Sequence, residues 1–215
     1  MSIWNVVGKI PIIVFSVFMA ALYINGLLDP VGTNYWIARE GIIIMILEFC
    51  SLFAASVAIS LGSNEGGILP WLPILAIFPL AFFFAAHYNL WLFVYFSAST
   101  LAKTFTIIKS YEIGDGNKAS RFAGVSILSL LLSVFIGIGL SKLLSGYFAE
   151  NLNLIYEFHN SFTSAEAVIE IFVFWGITYF VMLPIMDIAS TYYENKTGKP
   201  FVKTIPNKHA PTHKW

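Results

Sequence analysis

LPWLPILAIFPLAFFFAAHYNLWLFVYFSASTLAKTFTIIK, residues 69–109, is the stretch whose reading decides the fold. As one straight helix, its about forty residues would reach roughly 60 Å, twice the hydrocarbon thickness of a bilayer. Two arrangements avoid that length. A hairpin of two spans, 69–86 and 90–109, would turn at His87-Tyr88-Asn89. Alternatively, one span over 69–97 would be followed by a surface helix over 98–110, with Leu101, Phe105 and Ile108 on its apolar side and Lys103 toward water. Pro70, Pro73 and Pro79 can kink the first part in either case. The hairpin is preferred, because residues 90–102 carry no charge before Lys103 interrupts them.

Working outward, residues 10–28, 41–61, 122–145 and 165–188 are each close to the roughly 20 apolar residues that a spanning helix needs. Open sheet is excluded, since its unpaired backbone groups cannot be satisfied in lipid. The predicted fold is therefore all-α: a polytopic transmembrane helical bundle over residues 1–190, with six spans if the hairpin holds and five if it does not. A basic, Pro-containing tail, 191–215, follows. Asp29-Pro30, the run Gly62-Ser63-Asn64-Glu65-Gly66-Gly67 and Gly114-Asp115-Gly116-Asn117 punctuate the spans, the last preceding a helix expected to start near Arg121. Thr163 and Glu166 form a capping-box pattern at the start of the last span.

The composition agrees: 58% of residues are hydrophobic, 11% are charged and 20 are Phe, with a mean hydropathy of +0.76. A soluble domain carries roughly 25% charge. Once the spans are counted, only short connections remain, so no soluble catalytic module is expected. The zero formal net charge points to neither nucleic acid nor acidic partners. Cys50 is the only cysteine, which excludes an intrachain disulfide and a cysteine metal cluster. The apolar run after Lys9 lacks a small-residue cleavage site and reads as a permanent first helix rather than a signal peptide.

Charge distribution sets the orientation. Lys196, Lys199, Lys203, Lys208 and Lys214 lie in the tail, and Lys109, Lys118 and Arg121 flank the 110–121 loop. The 146–164 loop has no Lys or Arg and holds Glu150 and Glu157. Positive-inside bias then puts the tail and the 110–121 loop in the cytosol and the 146–164 loop outside. The expected location is a bacterial-type inner membrane. Trp4, Tyr35, Trp36, Trp71, Tyr147, Tyr192 and Tyr193 fall near span ends, as interfacial aromatics do.

The most regular pattern is Ser129, Ser133, Gly137, Ser141 and Ser145, small residues at intervals of four along one helix. Such a strip lets a second helix approach closely, and Ala54, Ala58 and Gly62 mark the second span as a mate. A polar stripe lining a pore is the functional alternative. Whether the partner helix belongs to the same chain is not legible.

Glu48, seven residues into the second span, is costly in ionised form without a partner. Matched depth nominates His87, and an imidazole beside a carboxylate could relay protons or bind a cation. The alternative is a carboxyl that only fixes packing. Lys103 and Asp187 form a second candidate pair near the cytosolic side, with Pro184 one turn before Asp187. Glu166 and Glu170 read as helix-start charges.

There is no phosphate loop, His-Glu-x-x-His, Gly-x-Ser-x-Gly or Cys-x-x-Cys. His159, His209 and His213 lie in loop and tail, so His87 has no second intramembrane His for a haem; no cofactor and no metal are expected. The leading expectation is a non-enzymatic accessory or assembly subunit, in contact with the lipid bilayer and with a protein partner or further copies of itself. Its rivals are a small carrier or channel for an ion, proton or small solute using Glu48 and His87, and an intramembrane lipid or quinone enzyme with the same carboxylate.

Overall fold

The computed structural model describes residues 10–32, 40–62, 72–87, 89–112, 116–157, 166–199 and 201. Those residues form seven α-helices and no strand: α1 (Ile10–Leu28), α2 (Gly41–Gly62), α3 (Leu72–His87), α4 (Leu90–Glu112), α5 (Gly116–Leu144), α6 (Ala149–Glu157) and α7 (Glu166–Thr197). A 3-10 turn, Ser145–Tyr147, joins α5 to α6. Three helical stretches are long and apolar enough to cross a membrane: Ile10–Leu28, Arg121–Tyr147 and Glu170–Thr197. Gly41–Val57 is a shorter apolar stretch.

Local chemistry explains several of the boundaries. The 69–109 region breaks where Asn89 caps α4: its side-chain oxygen accepts the amide of Trp91 at 3.0 Å, and its carbonyl accepts that of Leu92 at 3.0 Å. From there α4 continues without interruption to Glu112, so no separate surface helix begins at residue 98. The last helix stops at Gly198, whose φ of 66° is accessible to glycine at little cost and whose amide returns to the Glu194 carbonyl at 2.8 Å.

Three boundaries differ from the sequence expectation. Helix α5 starts at Gly116 rather than near Arg121, and α7 runs beyond residue 188 to Thr197. In both, a polar turn or two extends the helix past its apolar portion, since hydropathy marks a lipid crossing and not the end of helical hydrogen bonding. The 146–164 stretch contains α6 instead of being irregular throughout. That short helix is held by its own contacts. Leu152 and Ile155 are buried against Leu27, Val173 and Phe174, and the Asn151 amide donates to the otherwise unpaired carbonyls of Leu27 and Leu28 at the end of α1.

Helix α7 is the packing axis, most extensively against α5 and then against α1. Helix α2 packs against α3, α4, α5 and α7, and its Ile42–Met45 turn is wholly buried. At the centre, the Phe180 ring meets those of Phe15, Tyr23, Tyr95 and Tyr179, with centroids 5.0–6.4 Å apart. The outward faces are also apolar: Val14, Phe18, Phe53, Phe82, Leu131, Phe135 and Ile185 are exposed on several helices. An apolar exterior of that extent suits a hydrocarbon surround.

Candidate functional site: an ion pair sealed between α2 and α4

Glu48 and Ser51 share one face of α2, and Tyr95, Ser99 and Lys103 recur at intervals of four along one face of α4. Because α2 and α4 pack together, the two polar stripes meet inside an otherwise apolar core. Lys103 Nζ donates to Glu48 Oε2 and to Ser51 Oγ. Ser99 Oγ lies 3.2 and 3.1 Å from the two carboxylate oxygens. Ser51 Oγ is 3.2 Å from Glu48 Oε2 and 2.9 Å from the Glu48 carbonyl. Glu48 is 1% and Lys103 2% exposed.

Two opposite charges withdrawn from water attract strongly, but each has lost its hydration. The pair is tolerable because hydrogen bonds supply what water would have supplied. Removing one member would strand the other.

Glu48 therefore meets Lys103 and not His87. His87 is exposed in the last turn of α3, where Nδ1 lies 3.0 Å from the Phe83 carbonyl of its own helix and the ring stacks on Phe83. The Lys103 ammonium, expected to pair with Asp187 near the cytosolic side, bonds Glu48 and Ser51. Asp187 is itself buried in α7, with Ser190 and Thr191 hydroxyls bonded to its backbone carbonyl at 2.9 Å each. The four-residue recurrence of Tyr95, Ser99 and Lys103 was the signal that could have found the site, since a polar stripe on an apolar helix fixes direction as well as depth.

The small-residue strip of α5 lies against α7 of the same chain. A Cβ at Gly137 would come within 2.7 Å of Trp175 Cα and 2.9 Å of its amide nitrogen, so the backbones touch there. Trp175 Nε1 donates to Ser133 Oγ at 2.9 Å, and Ser141 Oγ donates to Glu170 Oε1 at 2.8 Å. Glu170 thus bonds across helices. Ser129 is buried and bonds its own helix at Val125, while Ser145 lies in the 3-10 turn. The principal mate of α5 is α7; α2 also touches it, less extensively.

Sequence reasoning did not anticipate the Arg121–Glu194 ion pair, which ties the start of α5 to the end of α7. Glu194 Oε1 also accepts the Phe201 amide at 3.1 Å. Among the described residues no group of three or more His, Cys, Asp or Glu could hold a metal. Trp4, Tyr35, Trp36, Trp71, His159, Thr163, the Lys203, Lys208, Lys214, His209 and His213 part of the tail, and the side chains of Lys109, Lys118 and Glu166 lie outside the described residues.

No protein-family model, curated protein or solved structure matches this chain. What fold and site define is a class: an all-helical protein with three membrane-length helices and a buried carboxylate–ammonium pair in its interior.

Proposed function

We propose that the chain is a six-span inner-membrane protein that carries a proton or small ion, with Glu48 as the exchanging group and Lys103 as its tethered counter-charge. The supporting observation is the ion pair itself, 1–2% exposed between two helices. Intramembrane ionisable groups are rare, face protein interiors and mark ion or proton routes, and an apolar pair of similar volume would hold two helices together as well or better. Helices α2, α3 and α4 supply the three further spans of this reading, and positive-inside bias gives it a cytosolic tail and an external α6. Lipid surrounds the apolar exterior, and no chemical transformation is assigned to the site.

Glu48→Gln tests the proposal in vesicles containing the purified chain. The amide keeps the shape of a carboxyl but takes up no proton. Proton- or cation-dependent flux should vanish in a folded protein; retained flux removes Glu48 from the mechanism.

A second reading, a non-enzymatic accessory subunit docking a protein partner or a second copy, is favoured by one observation. Glu48, Lys103, Ser51 and Ser99 bond to one another, as a static lock would. In that case no flux accompanies the wild-type chain. Because Gly137 is already against α7, a partner would need a different surface from the α5 strip.

A further inference from the structure

The ring of Tyr23 sits in a notch cleared by two glycines. A Cβ on Gly176 of α7 would run into the Tyr23 ring at Cε1, and one on Gly41, at the start of α2, would lie 3.7 Å from the Tyr23 hydroxyl. Tyr23 thus packs against the start of α2, on the helix that carries Glu48 two turns further on. Tyr179 belongs to the same cluster. Its ring and that of Tyr23 both pack on Phe180, and Tyr23, Tyr95 and Tyr179 all lie within electrostatic reach of Glu48.

Tyr23 and Tyr179 are 0% exposed, and neither hydroxyl has a hydrogen-bond partner among the described residues. Phenols left without a partner in the interior would waste bonding capacity, because buried hydroxyls nearly always find a protein group or a water. Glu48 Oε1 has capacity to spare as well: among the described residues it accepts only from Ser99. Tyr95, one turn before Ser99 on α4 and 5% exposed, likewise has a hydroxyl with no hydrogen-bond partner among the described residues. Unsatisfied phenol donors and a carboxylate oxygen with spare capacity therefore share one interior cluster.

We propose that water occupies the space between Tyr23, Tyr179 and Glu48, and that this hydrated site brings protons to Glu48 from the Leu28–Gly41 end of the molecule. It builds on the carrier reading for its use. A hydronium ion arriving along these waters gives its proton to the carboxylate, leaving neutral water and a neutral carboxyl, while Lys103 keeps its charge and loses its ionic partner. Among the described residues, the charged or titratable groups facing Glu48 are Lys103 and Tyr95 from α4, Tyr23 from α1 and Tyr179 from α7.

Radiolytic hydroxyl-radical labelling of the full chain in nanodiscs, read by mass spectrometry, tests the site without requiring transport. Radicals form from water, so a buried side chain is oxidised only where water touches it. Tyr23 and Tyr179 should label about tenfold faster than Phe174, which is buried among apolar side chains only. Exposed Tyr147 and Tyr192 provide the upper limit. Tyr23 and Tyr179 remaining as unreactive as Phe174 would overturn the proposal. Melting of Tyr23→Phe and Tyr179→Phe gives a second measurement. Loss of a water-bonded hydroxyl lowers the melting temperature, whereas loss of a dry, unpaired one raises it, and a rise in both variants would also overturn the proposal. Labelled tyrosines in a chain that shows no vesicle flux would leave the hydrated site standing and remove the carrier reading alone.

Discussion

Gly137→Ala and Gly139→Ala differ by two positions on one helix, yet they should behave oppositely. The new methyl at 137 would lie 2.7 Å from Trp175 Cα, about 0.7 Å inside the 3.4 Å at which ordinary contact begins, whereas nothing lies within 4 Å of a Cβ at 139. The obstacle at 137 is backbone, which no rotamer change can move. Helices α5 and α7 must part locally, stretching the Trp175–Ser133 hydrogen bond. Overpacking of this kind costs about 1–3 kcal/mol. Both substitutions gain the same helix propensity, up to about 1 kcal/mol, because each replaces a mid-helix glycine. That gain cancels in the comparison, so the difference between the two variants is the clash itself, about 1–3 kcal/mol. Equilibrium unfolding in mixed micelles, run on both variants and the parent chain, measures it. Agreement of the two variants within about 0.5 kcal/mol would refute the close approach of α5 to α7.

Three further outcomes are expected. Gly176→Ala should destabilise the fold by about 1–3 kcal/mol, and a second change, Tyr23→Leu, should recover part of that loss by emptying the notch; a double-mutant cycle checks the coupling. Asn89→Ala removes the cap of α4 and should lower stability by about 0.5–2 kcal/mol, read as a lower melting temperature beside a silent Ala86→Ser control. Lys103→Met should cost about 3–5 kcal/mol by stranding Glu48, while Lys103→Met with Glu48→Met should recover most of it. Additive effects of those two changes would show that the charges are not paired.

Much of the fold is legible from residue order because lipid imposes a length. Ile10–Leu28 and the break before Leu90 follow from apolar run length and from the turn expected at His87-Tyr88-Asn89. The ends of α5 and α7 do not, since polar turns at 116–120 and 192–197 stay helical beyond the apolar run. Helix α6 escaped because it is nine residues long and half polar, and its support comes from distant groups, the α1 carbonyls among them.

The site was half legible for a similar reason. A buried carboxylate announces itself, but depth along the membrane normal is one coordinate and many residues share it. His87 matched Glu48 in depth while belonging to a helix whose end lies exposed. Lys103 was read as interfacial, although it stands nine residues before the end of α4 at Glu112, roughly 14 Å of helix. The Tyr95–Ser99–Lys103 stripe supplies the missing direction around the axis.

On the carrier proposal, Glu48 exchanges a proton or ion and does more than hold Lys103. A charge swap, Glu48→Lys with Lys103→Glu, addresses it directly because the ion pair is retained while the carboxylate moves from α2 to α4, away from Ser51 and toward the other wall. Flux into vesicles, measured on the swapped chain beside the parent and Glu48→Gln, should be present in the parent and absent in both variants, with all three folded. Parental flux in the swapped chain or in Glu48→Gln, or none in the parent, would contradict the account.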